Sequence, residues 1–185
     1  MKKLVIILFS IFLFIGINGC KTKKIENTTK NKPVEIKTPF NETKYKTDKH
    51  NFRSVGYGES DNLNNAKDIA KSQARSNISR QVSIIIKDVT ERYNSQIDKN
   101  SGNMFQGISR QISKSVLTNV KEINNKTFLY QDKESNIYQY WTVLEVSTND
   151  VYNLFDNKTK ENQIKYNKEK FEKIYKEELD NTNSE

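Results

Sequence analysis

The chain has 185 residues, a formal charge of +8 and only 34% hydrophobic residues, with a mean hydropathy of −0.85. A single cysteine and a single histidine exclude an internal disulfide and argue against the Cys/His ligand clusters that metal sites gather. Such a length suits one domain plus a spacer, and so polar a composition implies that part of the chain outside the leader is disordered.

Met1 to Cys20 has the pattern of an export signal. Lys2 and Lys3 make a short positive start, Leu4 to Ile17 is apolar apart from Ser10 and Gly16, and Lys21-Thr22-Lys23-Lys24 turns strongly polar. A charged start, an apolar core and a small residue before the cut describe a secretory signal peptide, and the run falls short of the ~20 apolar residues that span a bilayer. Ile17-Asn18-Gly19-Cys20 resembles the lipobox of bacterial lipoproteins, with Asn18 a mild departure from the usual small residue. The resemblance implies cleavage between Gly19 and Cys20, acylation of Cys20 and attachment to the lipid bilayer through it, since two or more acyl chains anchor stably.

Residues 20–50 are expected to form the lipidated cysteine and a flexible basic tether, rich in Lys, Thr and Asn and holding both prolines. Ile36, Phe40 and Tyr45 are isolated apolar residues there; a short edge strand or a docking contact is the alternative to a solvated spacer. Phe52 to Gly58 alternates and ends in glycines, which predicts a strand closing in a tight turn. Asn62 supplies a capping oxygen, and Leu63, Ala66, Ala70, Ala74 and Ile78 recur at helical spacing, predicting a helix over 62–80 that lies close to a sheet. The β-branched run Val82 to Thr90 predicts a second strand. Phe105, Ile108, Ile112 and Val116 predict a second helix over 104–118.

Strands over 120–131 and 137–146, joined by a short turn, should form a hairpin. Along the second, Tyr138, Tyr140, Thr142, Leu144 and Val146 share one face, and Gln139, Trp141, Val143 and Glu145 the other. Ser147 to Asp150 caps a terminal helix. Its continuation over 157–185 carries a thin apolar stripe (Ile164, Phe171, Ile174, Tyr175, Leu179), which fits either docking or a long solvated helix, ending in a frayed tail. The expected fold is a small α+β two-layer sandwich, strand-helix-strand-helix-hairpin-helix, with the domain over 51–156.

Val55-Gly56-Tyr57-Gly58, the alanine-rich helix with Ala66-Lys67-Asp68-Ile69-Ala70, and the hairpin ending in Trp141 to Val146 together resemble the Lpp-twenty lipoprotein family. That family is similar in turn to the amino-terminal domain of a flagellar outer-membrane ring protein. The resemblance covers 52–155 and implies a non-enzymatic, interaction-related role at the outer membrane. Lys21 and Thr22, rather than aspartate, follow the cysteine, which favours the outer over the inner membrane.

No motif for chemistry or a cofactor stands out. Gly56-x-Gly58 lacks the third glycine of a dinucleotide fingerprint, with Asp61 in its place, so the pair is read as serving the turn. His50 has no second ligand nearby, and a serine nucleophile would have no histidine base within the folded segment. Asp88 and Glu91 read as an exposed strand end rather than an acid pair. Tyr138, Tyr140 and Trp141 are read first as core, with contact to a partner as the alternative for each; Trp141, sharing a face with Gln139 and Glu145, is the best candidate for facing a partner. The scattered lysines carry no nucleic-acid motif. The leading expectation is a non-catalytic envelope lipoprotein contacting other envelope proteins. A receptor or adhesion module binding anionic glycans or lipids is the alternative.

Overall fold

The computed structural model describes residues 37–97, 102–131 and 135–181. The signal peptide, Cys20, the first part of the expected tether and the last four residues lie outside them. The three strands are β1 (Asn51–Ser60), β2 (Lys121–Gln131) and β3 (Asn136–Ser147), and the four helices α1 (Leu63–Gln96), α2 (Gly102–Ser115), α3 (Thr148–Glu161) and α4 (Lys168–Asn181). The sheet is antiparallel in the order β1-β3-β2, so the expected hairpin forms and its second strand takes the centre. The fold is α+β, as expected.

One element replaces two of those predicted. Residues 82–90 are not a strand but the middle of α1, a single helix of 34 residues. Val82, Ile85, Ile86, Val89 and Tyr93 are all buried and follow Ala66, Ala70, Ala74 and Ile78 at steps of three and four. A helical penalty for β-branched residues of at most about 0.7 kcal/mol each is small beside the ~1.5–3 kcal/mol gained by burying each large apolar side chain. The element order is therefore strand-helix-helix-hairpin-helix-helix.

At 1.5 Å per residue α1 is about 51 Å long, longer than the sheet it covers, and its buried residues change size along it. Its first half presents alanines to the sheet. A Cβ on Gly56 would lie 2.0 Å from the Ala70 carbonyl oxygen, and one on Gly58 the same distance from that of Ala66. Two strand residues advance about 6.6 Å and four helix residues about 6 Å, so strand and helix stay in step. Neither glycine has a positive φ, and the strand runs on to Ser60. The glycines serve close helix–strand approach rather than the predicted turn. Asn62 caps α1 as expected, its Oδ1 accepting from the Asn64 and Asn65 amides at 2.8 and 3.3 Å.

The second half of α1 carries Ile, Val and Tyr and packs with α2 and α4, while α3 packs on α2 and completes the same core. Phe155 and Phe171 stack with centroids 4.1 Å apart, and Tyr93, Phe105 and Tyr166 enclose them edge-on or tilted. Residues 157–181 are therefore not one long helix trailing the domain. Gln163 takes a left-handed φ of 55° between α3 and α4, the chain turns back, and Phe171, Ile174, Tyr175 and Leu179 join the core. The docking alternative holds, and the domain extends through α4. Asp156 secures the turn: burial would raise its carboxyl, but Lys160, Lys168 and the Tyr166 hydroxyl, each 2.8 Å away, outweigh that and hold it down at about 2.

The amino-terminal boundary also moves. Residues 37–50 are largely exposed but are fastened to the domain at a few points. Phe40 is buried and meets Tyr45 edge-on at 5.0 Å, Lys126 lies 5.5 Å from the Phe40 ring centroid, and Asn124 Nδ2 donates to the Tyr45 hydroxyl at 2.6 Å. Arg53 staples this strap, pairing with Asp48 at 2.6 Å and with Glu145 at 2.5 Å. Only residues 21–36 separate Cys20 from the described domain.

Candidate functional site

The helices cover one face of the sheet and the strap covers part of the other. What remains open is the far end of the outer face, built from odd-numbered residues of β1 and β3 and their partners on β2. Trp141 pairs across with Tyr57 and Lys126, and Gln139 with Glu59 and Phe128. The Tyr57 and Trp141 rings lie 4.7 Å apart. The Tyr57 hydroxyl donates to Glu59, whose carboxylate also accepts from Gln139 Nε2 at 2.8 Å. Burial and the Glu59 carboxylate push the Tyr57 phenol up to about 12, so it stays a donor at neutral pH. Phe128 and Tyr130 continue the face, 41% and 56% exposed.

The two sheet edges differ. Along β1 side chains serve part of the outward backbone: the Arg53 amide donates to Thr47 Oγ1 at 2.9 Å, the Arg53 carbonyl accepts from Gln81 Nε2 at 3.1 Å, and the Tyr57 amide donates to Gln73 Oε1 at 2.7 Å. Along β2, among the described residues, no strand or helix side chain plays that part. The Asn125 amide alone finds a local acceptor, Asn124 Oδ1, at 2.9 Å. Nearly every β2 residue is exposed, including Ile123, Phe128, Leu129 and Tyr130. A long edge strand with apolar residues on both faces is a template for pairing with another chain.

Of the three aromatics singled out from the sequence, Trp141 alone lies on this open face. Tyr140 is 3% exposed on the helix side, packed on Ala66 and Ala70, so it is a core residue. Its hydroxyl donates to Glu122 Oε1 at 2.7 Å, and Thr142 Oγ1 donates to the same oxygen at 2.8 Å. Burial would raise Glu122, but the Lys71 ammonium at 2.8 Å and these hydroxyls hold it below the usual range. Tyr138 is half-buried on the same side against that cluster. Phe128 and Tyr130 were missed as site residues; their alternation with Thr127 and Leu129 was the available signal, but not which face stays open.

A cleft of about 320 Å³ beside α4 is lined by His50, Tyr152, Glu172, Tyr175 and Lys176 among others. There Glu172 pairs with Lys176 at 2.7 Å, and the Tyr175 hydroxyl donates to the Thr148 carbonyl at 2.8 Å. Asp88 and Glu91 stand on the exposed side of α1 rather than at a strand end. Among the described residues no three His, Cys, Asp or Glu side chains gather as a metal site, and no helix is long and apolar enough to cross a membrane. Comparison with protein-family models, curated proteins and solved structures gives no match.

Proposed function

We propose that the protein is a non-catalytic lipoprotein of the bacterial cell envelope, held at the outer membrane by acylated Cys20, whose domain works by contact with another envelope protein. The unserved edge of β2, flanked by the open Tyr57–Trp141 face, supports this reading best. The contact is strand addition: an extended partner segment takes the β2 backbone groups, and its alternate side chains read the two faces. Lys121 and Lys126 call for acidic or amide residues opposite them on the outer face, and Phe128 and Tyr130 for apolar ones. The resemblance of 52–155 to the Lpp-twenty family and the lipobox at Cys20 point the same way, and the covalent anchor spares the contact the full entropy of bringing two free molecules together.

The anchor is tested by metabolic labelling with a fatty-acid analogue in the native host. The wild-type chain should carry label and sediment with membranes; Cys20→Ala should lose the label and leave the membrane fraction. Membrane attachment that survives this substitution would remove the anchor from the account.

A further inference from the structure

A second surface, between two helices, has a different chemistry. Between the first half of α1 and the carboxy-terminal half of α2 runs a groove of about 990 Å³. Its α1 wall is one helix face, residues 68 to 83 at steps of three and four, about 22 Å long. Ser72, Ser76, Ser79 and Ser83 occupy that wall where larger side chains would close the gap, and Ser113 faces them from α2. Ser79 Oγ donates to the Ser113 carbonyl at 2.8 Å, which ties the two walls together at the floor.

The rim is cationic. Lys71, Arg75 and Arg80 line the groove from α1 and Arg110 and Lys114 from α2, against a single carboxylate among the described residues, Asp68. Lys71 is engaged by Glu122 and Arg80 donates to Asn77. Among the described residues Arg75, Arg110 and Lys114 make no ion pair. Like charges brought to one groove from two helices repel one another, and a bound polyanion removes that cost.

From this we infer that the α1–α2 groove binds a strand of acidic polysaccharide, its carboxylate or sulfate groups on Arg75, Arg110 and Lys114 and its hydroxyls on the serines. The volume lies at the upper end of the ~300–1,000 Å³ usual for ligand pockets, enough for several sugar units. Among the described residues no aromatic side chain lines it, and a stacking platform is what single-stranded nucleic acid uses. Ser79, Ser83 and Ser113 are recessed between the two helices, where an extended chain can enter and a planar headgroup surface meets only the rims. This site is independent of the β2 edge.

The test uses the full-length protein in non-ionic detergent, titrated against heparin and polygalacturonate, with dextran as the neutral control. The wild-type chain should bind both polyanions in a salt-sensitive way and ignore dextran. The triple change R75Q/R110Q/K114Q should weaken binding by at least about tenfold and flatten the salt dependence, as loss of three contacts to a polyanion does. K165Q/K170Q/K173Q removes the same charge from exposed positions elsewhere and should stay within about twofold, with circular dichroism melts confirming that both variants are folded. Equal weakening by the two triples would overturn the assignment. So would capture by phosphatidylglycerol vesicles, or by a single-stranded oligonucleotide, at concentrations where the polysaccharides do not bind.

Discussion

Gly58→Ala is expected to destabilise the domain by about 3 kcal/mol or more, the upper part of the range for overpacking a close-packed interior. The added methyl would sit 2.0 Å from the Ala66 carbonyl oxygen, 2.7 Å from the Ala70 amide nitrogen and 3.0 Å from the Ala66 carbonyl carbon. All three are backbone atoms, so no side chain can swing aside; α1 itself must lift from β1. The same movement would pull Ala70 off Tyr140 and strain the Glu122 bonds to Tyr140 and Lys71. Urea unfolding of the full-length protein measures the loss, read as a lower midpoint at unchanged slope. Gly56→Ala should behave alike, since its methyl meets the Ala70 carbonyl oxygen at 2.0 Å. A change below about 1 kcal/mol in both would mean that α1 does not lie on β1 at this distance.

Phe171→Ala is the second large effect, expected at about 3–5 kcal/mol. The ring is fully buried, stacked on Phe155 and in contact with Tyr93, Phe105 and Tyr166, so truncation opens a cavity among four other aromatic rings that cannot all collapse into it. The neighbouring exposed Lys170→Gln should change stability by less than about 0.5 kcal/mol. Thermal and urea unfolding of the pair would separate a helix built into the core from one merely trailing it.

These two residues also mark what could be read from the chain and what could not. The alternation of 137–146 predicted both faces of β3, and Asn62 marked the start of α1, because strand period and capping are local properties. Gly56 and Gly58 were visible, but their role depends on a helix that crosses them, and only the crossing distinguishes close approach from a turn. Val82 to Thr90 misled because its β-branched residues satisfy a strand by propensity and a helix by burial, and tertiary packing decides. The stripe of Phe171, Ile174, Tyr175 and Leu179 was legible as a stripe; the left-handed Gln163 that folds it back was not. The place of Trp141 on the outer face was legible from its polar neighbours on β3. The open edge beside it and the cationic groove were not, since each depends on which elements are left uncovered, and the groove walls bring Ser79 against Ser113 across 34 positions.

The β2 edge bears most of the functional reading, and a photo-reactive amino acid placed there tests it most directly. Installed at Phe128 in the full-length, Cys20-bearing protein and irradiated in intact cells, it should give one discrete adduct with an envelope protein. The same residue installed at Lys170, on the exposed side of α4, should not give that adduct. No adduct from Phe128, or the same set from both positions, would contradict a partner strand at β2.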